Sequence, residues 1–207
     1  MPTKLNLRLV PPKGKKWKVR PKRRPNREIR TKEYLTEAEM ERLINAAKGN
    51  RWGFRDATLL LTMYRHGLRA SEVIDLRWDQ IDWNKANLHV RRLKGGTDSV
   101  HTILGDELRA LRRLQREQEP KSAFVFISER GGPMTRFAVN KLVEKAGETA
   151  GLGDHVHPHQ IRHATGFKLA NDGHDTRRLQ SWLGHSDIKH TVKYSELSAQ
   201  PFKNFWR

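Results

Sequence analysis

The feature that most restricts how this chain can fold is a division by charge and proline content at about residue 32. Residues 1–32 hold thirteen Lys or Arg, one acid (Glu28) and five of the nine prolines, which puts +12 of the formal charge of +18 there. A segment of that composition cannot bury enough apolar surface to offset the entropy lost on ordering, so it is expected to be an extended, flexible arm that orders against a polyanion. Residues 33–207 remain, enough for one substantial hydrophobic core and too few for two large domains.

The excess of 41 basic over 23 acidic residues favours a polyanionic partner such as nucleic acid or an acidic membrane. The absence of cysteine excludes disulfides, thiolate nucleophiles and cysteine metal sites, and it suits a reducing compartment. No run reaches the roughly 18 apolar residues of a membrane span, and the N-terminus lacks the apolar stretch of a signal peptide. The expected location is cytoplasmic, with association to the nucleoid.

Local signals predict a mainly helical α+β domain. Thr36-Glu37-Ala38-Glu39 has the form of a capping box, predicting a helix to about Ala47 with Met40, Leu43 and Ile44 on its buried face. A second helix is expected over about 54–65, closed by Gly67, and a short third from Ser71 to Leu76. Residues 79–87 read as a turn. Leu88 to Arg92 and Val100 to Ile103, around Gly95-Gly96, read as two strands of a small antiparallel hairpin. Helices then follow over about 106–118, 135–150, 159–171, 175–183 and 191–198, and Phe124 to Ile127 could add an edge strand.

Several of these elements carry residues suited to phosphate chemistry. Arg69 stands just before a helix start, and Glu72, three residues on, could hold its guanidinium as a rigid fork for phosphate oxygens. In His157-Pro158-His159-Gln160-Ile161-Arg162-His163, proline suits a first helical turn, and His159, Arg162 and His163 share a face. An imidazole can move protons near neutral pH while a guanidinium stabilises charge on a phosphorane-like transition state. The alternative use of His159 and His163 is to chelate zinc with His155 or His157, but no glutamate lies between them to act as base, and Arg162 would repel the ion. Of the three tyrosines, Tyr34 and Tyr64 flank or sit on early helices, leaving Tyr194, nine residues after His185, as the candidate nucleophile. A phenol that ordinarily titrates near ~10 needs neighbouring cations or a base to be activated.

Arg69, Lys94, His159, Arg162, His185 and Tyr194, in that order, resemble the active-site set of the tyrosine recombinase family. The likeness covers residues 34–207 and includes Gly-Leu-Arg-Ala-Ser-Glu (67–72) and Leu-Gly-His (183–185). Compact length, Asp175-Thr176-Arg177, His190-Thr191-Val192 and the Phe205-Trp206 ending resemble the short recombinases that invert the type 1 fimbrial promoter switch. The resemblance implies a catalytic domain over 33–207 preceded by the arm over 1–32, in place of the helical N-terminal domain many relatives carry. It implies that Tyr194 attacks a phosphodiester of double-stranded DNA to give a 3′-phosphotyrosyl bond, with Arg69 and Arg162 on the nonbridging oxygens. Lys94 would protonate the leaving 5′-oxygen, His159 would be general acid or base toward the tyrosine, and His185 would hydrogen-bond the phosphate. Glu72 and His163 would support them. No cofactor, metal or ATP is implied, because the phosphotyrosyl ester retains the energy for religation. A homotetramer on DNA, monomeric off it, with Phe202, Phe205 and Trp206 docked in cis or in trans and DNA-bending helpers, completes the expectation. A basic regulator that keeps the fold without the reaction, and a monomeric nicking and resealing enzyme, are the competing readings.

Overall fold

The computed structural model of the chain describes residues 33–93, 95–153 and 156–196. The arm over 1–32, Lys94, His155 and the aromatic tail lie outside the described residues. The order of elements is α1 (Glu37–Ala47), α2 (Gly53–His66), α3 (Ala70–Ile74), a 3-10 turn (Trp78–Gln80), β1 (Ile81–Asp82), β2 (Asn87–Val90), β3 (Ser99–Thr102), α4 (Gly105–Glu117), α5 (Arg136–Thr149), α6 (Pro158–Asn171), α7 (Thr176–Leu183) and α8 (Lys189–Glu196). The result is the mainly helical α+β domain the sequence predicts.

Helix ends follow the local chemistry. Thr36 caps α1 with the reciprocal Glu39 bond, Pro158 occupies the first turn of α6, and Asp175 accepts the backbone N–H groups of Arg177 and Arg178 at the start of α7. Helices α2 and α7 each stop at a left-handed glycine, Gly67 (φ 59°) and Gly184 (φ 64°). A side chain at Gly67 would also meet the Leu183 side chain at 2.6 Å, so the two helix ends are held against each other by the absence of a Cβ.

The main core joins Met40 and Leu43 of α1, Leu59, Leu60 and Met63 of α2, Val139 and Val143 of α5 and Ile161 of α6. A second, smaller cluster packs Phe167 and Ala170 of α6 with Leu179 and Leu183 of α7 and Tyr194 of α8. Tyr34 stacks on Phe167 with ring centroids 3.9 Å apart. His101 of β3 links the sheet to the helices: it lies flat on Trp182, with ring centroids 3.7 Å apart, and its Nδ1 is 3.1 Å from that of His66.

Two expectations need correction. Residues 79–87 are not wholly turn: the sheet has three strands in the order β1-β2-β3, with Ile81 opposite Leu88 and Asp82 opposite Asn87. Burial of Ile81 against Leu88 explains the extra strand, which is too short to show an alternating pattern. Phe124 to Ile127 is not an edge strand either. It makes only the isolated bridges Arg77 to Phe124 and Ile127 to Pro133, because Val125 and Phe126 run through the core with no exposed surface. Among the described residues no helix is long and apolar enough to cross a membrane.

Candidate active site

The C-termini of α2 and α7 meet, and both leave backbone carbonyls without helical partners, the partial negative ends of two helix dipoles. Two buried arginines satisfy them. Arg162, from α6, donates through Nη1 to the Gly67 carbonyl at 2.5 Å and through Nη2 to that of Leu183 at 2.6 Å. Arg92, just after β2, donates to the carbonyls of Gly67 (3.4 Å), His66 (3.1 Å) and Trp182. Its side chain is 0 % exposed, and the backbone at Gly96 and Gly184 closes over it so tightly that a Cβ at either glycine would fall within 2.8 Å of it.

Glu72 is the counter-ion for this pair and for a third guanidinium. Its Oε1 accepts from Arg69 Nη1 at 2.5 Å, and its Oε2 accepts the Arg69 backbone N–H at 2.9 Å and Arg92 Nη1 at 2.8 Å. Arg162 Nη1 lies 3.8 Å from the same oxygen. Burial alone would raise the Glu72 carboxyl, but Arg92, the Arg69 bonds and Arg162 outweigh it and hold it below the usual carboxylate range. Arg162 is pushed down to about 9, chiefly by burial and then by Arg69 and Arg92, and so keeps its charge at neutral pH. Three cations are thus fixed before any ligand arrives. Arg69, 25 % exposed against 4 % for Arg162, is the more accessible to an anion.

Tyr194 is 1 % exposed. Its ring meets Phe167 edge-on at 5.1 Å and lies parallel to His185 at 6.4 Å. The ring fills the space over Gly166, where a Cβ would come 2.7 Å from Cζ. Its hydroxyl is 2.8 Å from Nδ1 of His163. Burial, the largest influence, pushes the phenol up to about 12; Arg162 and Arg69 oppose this and Glu33 adds to it. The hydroxyl is therefore protonated at rest, with a neutral imidazole on its oxygen.

His185 follows the α7 terminus and is fixed by Thr191 of α8, whose Oγ1 is 2.8 Å from Nδ1. Burial first, then Arg162 and Arg69, push it down to about 3. Burial first, then Lys193, His159, Arg162 and His157, push His163 down to about 4. Both rings are therefore neutral at physiological pH, able to donate from one nitrogen and accept at the other.

A stability trend follows. Unfolded, these histidines and His101, which burial and then His66 push down to about 2, would bind protons near the ordinary ~6.5. Between that value and the depressed ones the unfolded chain carries more protons, so stability is complete above about pH 6.5 and declines as pH falls toward 4. Thermal midpoints measured from pH 8 to pH 4 are expected to fall steadily below about 6.5; a flat profile across that range would contradict the buried neutral rings.

Of the residues predicted from sequence, Arg69, Glu72, Arg162, His163, His185 and Tyr194 come together around the α2 and α7 termini. His159, itself exposed, is on the otherwise buried first turn of α6, its ring 6.3 Å from that of His163, and His163 is the imidazole within hydrogen-bond distance of the phenol. Lys94 lies outside the described residues. Among those described, no group of three or more His, Asp or Glu is arranged to hold a metal ion. Sequence reasoning missed Arg92, Thr191 and Gly166. For Arg92 a signal existed: Leu88, Val90 and Arg92 fall on alternate positions, the buried face of an extended strand.

The arrangement can hold a tetrahedral phosphate against guanidinium groups, supply neutral imidazoles for proton movement and offer a phenol as nucleophile. Comparison with known proteins points the same way. The model of the phage integrase family matches residues 33–200. Type 1 fimbriae regulatory protein FimE of Escherichia coli K12 is 38 % identical over 178 residues, 84 % of this chain and 90 % of FimE. Tyrosine recombinase XerC of Staphylococcus epidermidis RP62A is 30 % identical over 192 residues, 88 % of this chain and 63 % of XerC. The crystal structure of the XerH site-specific recombinase bound to difH substrate, in a pre-cleavage complex, superposes with a TM-score of 0.70 at 18 % identity, over 84 % of this chain and 53 % of XerH. The chain thus spans less than two thirds of the length of XerC and XerH.

Proposed function

The chain belongs to the phage integrase family, and from that premise we propose that it is a site-specific DNA recombinase whose nucleophile is Tyr194. It cleaves and rejoins strands of double-stranded DNA through a 3′-phosphotyrosyl intermediate and is a tyrosine recombinase by chemistry. The observation that carries this reading is the meeting of one buried tyrosine hydroxyl with the His163 imidazole at 2.8 Å beside the three arginines organised by Glu72.

In this mechanism Arg69 and Arg162 hold the nonbridging oxygens of the scissile phosphate and stabilise the charge that grows on them as Tyr194 attacks. His185, kept neutral by burial and fixed by Thr191, hydrogen-bonds the phosphate. Lys94, between β2 and β3 in the sequence, protonates the departing 5′-oxygen. His159, exposed on the first turn of α6, serves as general acid or base toward the tyrosine, while His163 holds the phenolic oxygen. The ester formed retains the energy of the broken phosphodiester, so a 5′-hydroxyl from a second duplex reverses the step with no nucleotide consumed and no metal required.

Residues 1–32 are the DNA-binding arm, and 33–207 the catalytic domain. Each arm cation placed on a phosphate contributes about 0.9 to the salt dependence of binding. Strand exchange between two sites takes a homotetramer on DNA, the free protein being monomeric, with DNA-bending proteins as helpers. Phe202, Phe205 and Trp206 dock on the chain's own core or on a neighbouring protomer, and the apolar part of a cleft, at Tyr64, Leu104, Leu169, Leu179 and Trp182, is a surface that could receive them. The protein works in the cytoplasm, on the nucleoid.

The outcome is inversion or integration of a DNA segment, inversion being what the resemblance to the short fimbrial-switch recombinases implies. The test is a supercoiled plasmid carrying two copies of a repeat from beside the gene, in inverted or direct orientation. Inverted copies are expected to flip the intervening segment and direct copies to excise it. Specific binding with neither product would favour a regulator, and relaxation of supercoils without exchange would favour a nicking and resealing enzyme.

A further inference from the structure

Lys193, the residue before the nucleophile on α8, has no part in the mechanism above, yet its Nζ stands 3.5 Å from Nε2 of His163. The other nitrogen of that ring is the one 2.8 Å from the Tyr194 oxygen. Lys193, His163 and Tyr194 therefore form a chain that passes through both nitrogens of one imidazole, and both of its ends come from α8. We propose that Lys193 is a positioning residue that sets the tautomer of His163, so that the ring donates its Nδ1–H to the Tyr194 oxygen. This rests on the reading of Tyr194 as nucleophile.

The argument is one of donor and acceptor inventory. An ammonium has three donors and no acceptor, so facing Lys193 the Nε2 atom must present its lone pair. A neutral imidazole carries one ring proton, which then sits on Nδ1 and points at the phenolic oxygen. With Nε2 protonated instead, Nδ1 would be an acceptor and the phenol would have to donate. The two tautomers thus give opposite polarity to one hydrogen bond. The one Lys193 selects stabilises the tyrosine oxygen when it bears negative charge, both on approach to phosphorus and as the leaving group in religation.

The surroundings reinforce this polarity. From α8, His163 faces Lys193 and Tyr194; from its own helix it faces His159 and Arg162, and at the helix start His157. Burial and the four groups that act on it most, Lys193, His159, Arg162 and His157, all lower it. A second proton on the ring is therefore disfavoured, and burial followed by Lys193 pushes His163 down to about 4. Lys193 is itself half-buried and lowered by that burial, with Glu33 opposing the change.

The test uses the full chain without DNA and reads the His163 ring nitrogens by two-bond nitrogen–proton correlation spectra. The native protein is expected to carry the proton on Nδ1, and Lys193→Arg, which keeps a donor, to do the same. Lys193→Met is expected to shift the ring toward the Nε2–H form and to raise its titration midpoint by about one pH unit, as removal of an adjacent cation should. In a religation assay on preformed adduct, Lys193→Met is expected to slow resealing about tenfold and Lys193→Arg to stay near native. An Nε2-protonated ring in the native protein, or a tautomer and midpoint unmoved in Lys193→Met, would overturn the proposal. These spectra need no covalent adduct, so failure of Tyr194 to form one would sink the nucleophile assignment separately.

Discussion

A Tyr194→Phe protein is expected to fold, to bind its DNA sites as the native chain does, and to recombine at no detectable rate. The substitution removes one oxygen from a ring that keeps its contacts with Phe167 and His185. The structural effect is limited to the bond with His163, about 1 kcal/mol. The chemical effect is loss of the proposed nucleophile, and removing a nucleophile lowers turnover by several orders of magnitude, roughly 10⁶ in well-studied hydrolases. Mobility-shift titrations alongside the plasmid inversion assay separate the two. Binding weakened in step with recombination would mean that the tyrosine serves the fold or the interface and not the reaction.

The second large effect is expected at Glu72. Glu72→Gln keeps the shape of the side chain but leaves Arg92, fully buried, and Arg162, nearly so, without the carboxylate they share. Removing one partner of a buried ion pair typically destabilises by about 3–5 kcal/mol, which lowers the thermal midpoint of a domain this size by roughly 10 °C. Cleavage is expected to fall by about 10²-fold at temperatures where the variant is folded, because the amide leaves one neutral acceptor where two charged oxygens orient Arg69 and Arg92. Adding Arg92→Met should return part of the lost stability, since one unpaired charge then disappears with its partner; independent, additive losses would show that the two side chains are not coupled. Calorimetry of the two single variants and the double variant reads this directly.

Much of this was legible in the sequence because it is written in short-range chemistry. The Thr36 capping box, Pro158 at a first turn, and Gly67 and Gly184 as left-handed stops depend on residues a few positions apart, and all sit at helix ends in the structure. The arrangement of Arg69 and Glu72 is equally local, one turn of chain. What the sequence concealed was decided by tertiary contact. β1 is two residues long and exists because Leu88 offers Ile81 a partner. Phe124 to Ile127 has the composition of a strand, but the core engulfs it before a partner strand can pair with it. Arg92 looks like one of a pair of surface arginines until the ends of α2 and α7 converge on it from 25 and 90 residues away. The resemblance assigns His159 to the tyrosine and gives His163 a supporting place: the two share a helix face, and the docking of α8 is what brings the Tyr194 hydroxyl to His163, 31 residues away in the chain.

Cleavage chemistry is where the account is most exposed. A duplex nicked close to the scissile phosphate lets the short fragment diffuse away, so that a protein attacking through a side chain stays trapped on the DNA. The native chain should be incubated with such duplexes built on its own site, digested, and the nucleotide-bearing peptide sequenced by mass spectrometry. The account predicts a 3′-phosphate esterified to Tyr194 and a free 5′-hydroxyl on the released fragment. A phosphate on another residue, a linkage to the 5′ end, or specific binding with no adduct at all would contradict it.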